Sequence, residues 1–406
     1  MKDVRLRGGP VAHPHVFDRR ILRVERGARS GDVVRVRTRE GRPVGYAFFH
    51  ARSRIALRML TYAEEHVPDT RWLAHRVREA ARLRRDVLRL PEVTNAWRVV
   101  HAEGDGLSGL VVDRYSEVGS VALFSLGWQR RLDELSQVLR EEAGFERLVV
   151  RADPRAARQE DLDLPPPRDE APVEIVEHGL RFLVDPAGRH KTGFFLDQRE
   201  NRRRLAHLAA GRTVFDGMTF AGGFALAAAR GGATRVRGMD LDEEAVSVAC
   251  ENAKRNGVEI EFEHGDVFDA LRAYARASED ERPEVLIVDP PKWARDRKGL
   301  GAALARYRDL NRLALEAVRP GGVVCTSSCS GLVSEEAFLD VVRGAARDSR
   351  RAVSILAVTG AAADHPVSAV FPEGRYLKTL FLHVGPPGSG PGTGASQEDG
   401  RRETRR

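Results

Sequence analysis

Arg212-Thr213-Val214-Phe215-Asp216-Gly217-Met218-Thr219-Phe220-Ala221-Gly222-Gly223-Phe224-Ala225-Leu226-Ala227-Ala228-Ala229 runs from a short apolar strand through a small-residue loop into a helix. Gly222 and Gly223 let a ligand approach the backbone at a helix N-terminus, where free N–H groups favour an anionic group. A second strand, Arg235-Val236-Arg237-Gly238-Met239, ends at Asp240, whose carboxylate can accept both ribose hydroxyls of an adenosine. The full G-x-G-x-x-G dinucleotide pattern is absent, which weighs against NAD. The loop suits a cofactor without a pyrophosphate, such as S-adenosylmethionine; glycines placed there only for packing would look the same. Asp266, in His264-Gly265-Asp266-Val267, ends a third strand, either beside the adenine or as a plain helix N-cap.

Outward from this stretch, strands and helices alternate after about residue 186, the pattern of a Rossmann-like, doubly wound parallel sheet. Two more strand ends fall on the same carboxyl rim, where open α/β sheets place their chemistry. Val285-Leu286-Ile287-Val288 is followed by Asp289-Pro290-Pro291-Lys292, a loop that the two prolines make stiff. Asp289 can hydrogen-bond a nucleobase edge. Lys292 can meet phosphate, or serve only as a surface cation. The segment after Pro320-Gly321-Gly322 reads Cys325-Thr326-Ser327-Ser328-Cys329-Ser330-Gly331. Cys325 lies within the strand and Cys250 on a helical stripe with Val246, Ala249 and Ala253, so both are expected in the core. Cys329 lies beyond the strand end among serines, where a thiolate can be exposed and stabilised. C5 of cytosine is a poor nucleophile. Attack of a thiolate on C6 loads electron density onto C5, which then accepts a methyl group. Methylation of an amine or a ribose hydroxyl would not need the cysteine.

The chain of 406 residues is long enough for two or three domains, with 42% hydrophobic and 31% charged residues. Its net charge of +7 is compatible with a polyanionic partner, though the dominance of Arg over Lys is equally a mark of a GC-rich genome. Three cysteines make a disulfide framework an unlikely reading and fit a reducing cytoplasm. No run approaches the roughly 18 apolar residues of a membrane span, and Met1-Lys2-Asp3-Val4-Arg5-Leu6-Arg7 lacks the apolar core of a secretion signal. Asp32 to Thr38 and Val44 to Phe49 predict a hairpin around Gly41 and Pro43. Arg71 to Leu90 predicts an Arg-rich helix ended by Pro91, tracking phosphate or presenting a solvated face. Strands are expected at Gly109 to Asp113 and at Val121 to Ser125. Asp153 to Pro172, with Leu164-Pro165-Pro166-Pro167, reads as a linker or long loop.

Several blocks resemble the bacterial 23S rRNA cytosine-C5 methyltransferases that carry an N-terminal PUA domain. They are His190-Lys191-Thr192-Gly193-Phe194-Phe195-Leu196-Asp197-Gln198-Arg199, Phe220-Ala221-Gly222-Gly223-Phe224, Asp289-Pro290-Pro291-Lys292 and Ser328-Cys329-Ser330. Asp364-His365-Pro366 and Pro372-Glu373-Gly374-Arg375-Tyr376-Leu377-Lys378 continue the match, and Val100 to Tyr115 looks like the family's central domain. The resemblance implies a PUA-like RNA-binding β-barrel at 1–70, a central α/β domain at 71–185 and a methyltransferase domain at 186–384. The Gly-, Pro- and Ser-rich tail at 385–406 is expected to be disordered. It implies S-adenosylmethionine as donor, held by Phe195, Gln198 and Arg199 with Asp216, Gly222, Gly223, Asp240 and Asp266. It implies Cys329 as nucleophile, 23S rRNA as substrate and a cytoplasmic site of action, with no metal and no membrane. A homodimer is compatible with the sequence, which leaves the oligomeric state open. The chain departs from the family in Gly217-Met218-Thr219, where a bulkier or aromatic loop is common, and in His15, where tryptophan is usual. An amine-directed RNA methyltransferase, or an RNA-binding protein with an inactive cofactor domain, are the alternatives.

Overall fold

The computed structural model describes residues 1–167, 171–188 and 193–389. His190, Lys191 and Thr192, and the tail from residue 390, lie outside the described residues. The chain forms two compact units. The first holds Met1–Arg203, Cys250–Val258 and Gly360–Arg375; the second holds Arg204–Ala249, Glu259–Thr359 and the chain from Tyr376.

The first unit opens with strands β1 (Lys2–Leu6), β2 (His15–Phe17), β3 (Ile21–Val24), β4 (Val33–Arg37), β5 (Pro43–Phe49) and β6 (Ile55–Thr61). They form one sheet, in the order β2-β6-β5-β4-β1-β3, over a core of Val4, Leu6, Val34, Val36, Leu57 and Met59. The expected hairpin is β4 against β5, antiparallel, with alternate residues of β4 turned to the core. His15 lies edge-on to Phe371, ring centroids 4.9 Å apart, and bonds Glu103 through Nε2 at 2.8 Å. An aromatic contact is thus kept where the resembling family has tryptophan.

Helix α1 (Thr70–Arg82) begins under an Asp69 cap, continues as a wider turn to Val87 and stops before Pro91. Its arginines are largely committed within the chain. Arg84 is buried and forks onto Asp105 at 2.6 and 2.9 Å, Arg78 pairs with Glu142, and Arg85 pairs with Asp86. Strands β7 (Ala96–His101), β8 (Leu110–Tyr115) and β9 (Val118–Leu123), helices α2 (Leu126–Arg130) and α3 (Leu132–Ala143), and strand β10 (Arg147–Ala152) follow. The strands form a sheet ordered β10-β9-β8-β7. The stretch read as a linker contains helix α4 (Pro154–Glu160). Asp153 accepts from the Arg155 and Ala156 N–H groups, and Pro154 occupies the first turn, where no donor is needed. A hairpin, β11 (Val173–Glu177) with β12 (Leu180–Val184), precedes α5 (Arg199–Ala209).

Beyond α5 the chain alternates β13 (Thr213–Gly217), α6 (Gly223–Arg230), β14 (Arg235–Asp240), α7 (Glu243–Asn256), β15 (Glu261–His264), α8 (Val267–Arg276), β16 (Val285–Val288), α9 (Leu300–Ala317), β17 (Gly322–Ser328) and α10 (Glu335–Ser349). Strands β18 (Arg351–Thr359) and β19 (Lys378–Pro387) complete a sheet ordered β15-β14-β13-β16-β17-β19-β18. The first five of these strands are parallel, while β19 is antiparallel to both its neighbours. All four residues of β16 are buried. Leu286 and Val288 pack with Leu271, Leu310 and Phe338, whereas Val285 and Ile287 pack with Phe224, Ala225 and Ala228. Covering both faces is why the strand is a continuous apolar run, and each such side chain is worth roughly 1.5–3 kcal/mol.

The cysteine stripe on α7 is rotated by one position from expectation. Ala245, Ala249, Asn252 and Ala253 are buried, whereas Val246 and Cys250 are only partly covered. Cys325 is fully buried, as its place in β17 requires. Among the described residues no helix is long and apolar enough to cross a membrane.

Candidate active site

The parallel register brings the carboxyl ends of four strands level. Gly217 on β13 pairs with Met239 on β14 and Val288 on β16, and Val288 pairs with Thr326 on β17. Strand order reverses between β13 and β16, the switch point at which open sheets hold ligands. The loop at that point is held in an unusual shape. Met218 and Phe220 have φ of 65° and 50°, and Gly222 has 81°. Left-handed backbone at residues bearing a Cβ costs of order 1–3 kcal/mol each and persists only where surroundings impose it.

Here carboxylates impose it. Oδ2 of Asp216 accepts from Thr219 Oγ1 at 2.6 Å and from the Ala225 N–H at 3.0 Å. Oδ2 of Asp240 accepts from the Phe220 N–H at 2.8 Å, and its Oδ1 from the Asp242 N–H at 3.1 Å. Gly222 is needed twice, for its φ and because a Cβ would come within 2.7 Å of Leu226 Cδ1. Gly223 opens α6. Each Asp240 oxygen has one backbone donor and a second lone pair, so the residues present fit a bound ribose.

Asp289, partly buried, and the exposed Lys292 follow β16 on the same rim. Cys329 follows β17 and is partly exposed, its Sγ 3.9 Å from the Pro290 carbonyl oxygen. The turn carrying this thiol is pinned. Ser330 Oγ lies 3.0 Å from Tyr307 Oη and accepts from the Ala294 N–H at 3.3 Å. Trp293 leans on Tyr307, ring centroids 4.7 Å apart, and the Arg306 guanidinium covers Trp293 at 4.4 Å. A partly exposed thiol, a carboxylate and the loop that follows β13 thus share one edge of the sheet.

Residues 164–355 match the S-adenosylmethionine-dependent methyltransferase family, and residues 5–62 match the PUA-like domain. The ribosomal RNA large subunit methyltransferase I of Shewanella denitrificans is 34% identical over 397 residues, covering 95% of this chain and 98% of its own. That of Aeromonas salmonicida is 34% identical over 380 residues, covering 92% and 95%. The chain belongs to the ribosomal RNA large subunit methyltransferase I family. The fold is also that of SMU.776, assigned as a methyltransferase and solved with SAH. The two share a TM-score of 0.78 and 19% identity, over 92% of this chain and 96% of the other.

The cofactor of this methyltransferase family is S-adenosylmethionine. Of the remaining donor-site candidates, Asp266 caps α8, accepting from the Phe268 N–H at 2.8 Å, and is exposed. Phe195, Gln198 and Arg199 belong to the first unit. There the Phe195 carbonyl accepts from Arg202 Nη1 at 2.9 Å and Gln198 Oε1 from Asn201 Nδ2 at 2.6 Å. Arg199 is fully buried on Asp364 at 2.8 Å. Sequence reasoning assigned no role to Ser330, Tyr307 or Lys378. Lys378 stood in a resembling block, but only the antiparallel β19 reveals what it touches.

Burial pushes the Asp216 carboxyl up to about 7, against the pull of its Thr219 and Ala225 hydrogen bonds. Above about pH 4 the unfolded chain has lost this proton while the native state keeps it. The stability attached to it is therefore full at pH 4 and lost as pH rises towards 7, at up to roughly 1.4 kcal/mol per pH unit. In Asp216→Asn that slope is expected to disappear from urea unfolding measured between pH 5 and pH 7. An unchanged slope would mean that the carboxyl is ionised throughout.

Proposed function

We propose that this chain methylates C5 of a cytidine in 23S rRNA through a covalent adduct at Cys329. What carries the reading is a partly exposed thiol just past the carboxyl end of β17, on the rim shared by Asp289 and the Asp216 loop. When bound, S-adenosylmethionine supplies an electrophilic methyl group on a sulfonium. Asp216, Gly222, Gly223, Asp240 and Asp266 hold it. Asp289 orients the base by its edge, and Lys292 meets backbone phosphate. The Cys329 thiolate bonds to C6 and pushes the electron pair towards C5, which takes the methyl group. Loss of the C5 proton to a base then restores the C5–C6 double bond and expels the thiolate, so the enzyme is regenerated.

The proposal divides the labour along the chain. The part to residue 70 serves RNA binding, 71–185 forms the central α/β part, and 186–384 serves the chemistry, in the cytoplasm where ribosomal RNA is modified. RNA containing 5-fluorocytidine tests it, because fluorine at C5 cannot leave as a proton and the adduct accumulates. The expected result is a denaturation-resistant protein–RNA complex whose linkage maps to Cys329, with 5-methylcytidine as the product on ordinary RNA. A methylated amine in the product nucleoside, with no adduct, would replace this reading by the amine-directed one.

A further inference from the structure

Strand β19 runs antiparallel to β17 with Lys378 directly opposite Ser328, one residue before the thiol. Lys378 is 2% exposed, so its four-carbon stem does not carry the ammonium to water. Nζ instead donates to the Ser330 carbonyl at 2.8 Å and to the Tyr376 carbonyl at 2.8 Å. Both acceptors are neutral peptide oxygens, which offset the desolvation of a cation poorly. A buried cation with neutral partners, bonded to the residue after a rim thiol, is placed to oppose negative charge on that sulfur.

We propose that Lys378 is the positioning residue for the Cys329 thiolate, fixing the Cys329-Ser330-Gly331 turn through the Ser330 carbonyl and holding the sulfur in its anionic form. The inference rests on Cys329 being the nucleophile. On deprotonation below about pH 8 the thiol proton leaves to solvent, and the ammonium keeps its own three protons. The other charged groups here pull in both directions. Lys292 adds to the positive field at Lys378 and Glu335 subtracts from it. Asp289, beside the Pro290 carbonyl on which the thiol rests, also works against the thiolate. Tyr307 stays neutral, because burial raises its hydroxyl. Lys378 itself is brought down to about 8, burial lowering it and the charge of Cys329 working to raise it.

The experiment is the pH dependence of iodoacetamide alkylation at Cys329 in the full chain without RNA or donor, read by peptide mass spectrometry. The wild-type midpoint is expected below the ordinary thiol value of about 8.5. Lys378→Met should raise it by about one pH unit, making alkylation near pH 7 about tenfold slower, and Lys378→Arg should recover most of the difference. Equal midpoints in the wild type and Lys378→Met, or a wild-type midpoint at 8.5 or above, would overturn the proposal. Should Lys378→Met fail to fold, the wild-type midpoint decides together with the NMR titration of Lys378 in Cys329→Ser, where a downward shift supports the pairing and no shift rejects it. None of these readouts needs turnover. A lowered midpoint without a 5-fluorocytidine adduct removes the nucleophile reading alone, and an adduct with an ordinary midpoint removes the Lys378 role alone.

Discussion

Cys329→Ala is expected to lower the rate of 5-methylcytidine formation by at least about a thousandfold, roughly 4 kcal/mol of barrier. The size follows from the role proposed for the sulfur. Without addition at C6 the electron pair needed at C5 stays in an aromatic ring, and no other group on the rim is a comparable nucleophile. Asp289 is a carboxylate, and the Ser327 and Ser328 hydroxyls are buried. Cys329→Ser should fare little better, since a hydroxyl forms its anion far less readily than a thiol. Donor affinity is expected to stay within about twofold in both variants, because the Asp216 and Asp240 hydrogen bonds do not pass through residue 329. Cys325→Ala provides the internal control. That thiol is fully buried, and burial pushes its pKa well above the ordinary range, so the change should lower stability and leave the product and the adduct intact. Calorimetry of donor binding alongside single-turnover methylation separates these outcomes. Activity within tenfold of wild type in Cys329→Ala would reject covalent catalysis.

Much of the candidate site was legible because its parts are local. Each strand is closed by a rim residue with its own chemistry: Phe215 into Asp216, Met239 into Asp240, Val288 into Asp289, and Thr326 towards Cys329. The side-by-side arrangement of these ends follows from parallel pairing, so four short segments suffice to expect one edge. What stayed hidden depends on partners distant in the chain. Lys378 meets Ser330 only because β19 inserts between β17 and β18, and no local pattern announces an antiparallel insertion. The rotation of the α7 stripe away from Cys250 reflects how that helix packs, which periodicity fixes only to within a residue. Helix α4 was hidden by its surroundings. A proline-rich segment reads as loop, yet Asp153-Pro154 is also how a helix starts. The Arg-rich α1 shows the converse, since charge on a helix says nothing about whether Asp105, Glu142 or Asp86 already meets it.

The second large effect concerns Asp364, which is fully buried in the first unit with four donors around its carboxylate. Arg199 reaches it through Nη2 at 2.8 Å and Nη1 at 3.3 Å, the Arg98 N–H at 2.9 Å, and His365 Nδ1 at 3.1 Å. Its backbone carbonyl takes Arg84 Nη2 at 2.7 Å, tying the same loop to the Arg84–Asp105 pair. Asp364→Ala would leave the Arg199 guanidinium buried without its closest carboxylate, Glu200 lying 3.6 Å away and Glu177 acting from further off, and cost about 3–5 kcal/mol. That is a large share of the roughly 5–15 kcal/mol by which a folded protein exceeds its unfolded state, so the variant is expected to unfold at clearly lower urea. The charge, rather than the lost volume, is the cause. Asp364→Leu combined with Arg199→Met should therefore recover much of the loss, because an apolar pair leaves no ion stranded. The wild type carries a matching pH signature. Burial alone would raise the Asp364 pKa, but the charges and hydrogen bonds of His365 and Arg199 drive it far below the ordinary carboxylate range. The stability it contributes is thus full above about pH 4 and lost as the pH falls further, a decline that Asp364→Ala should not show. If the double variant were no more stable than Asp364→Ala, packing around residue 364, and not the stranded guanidinium, would set the energy of this network.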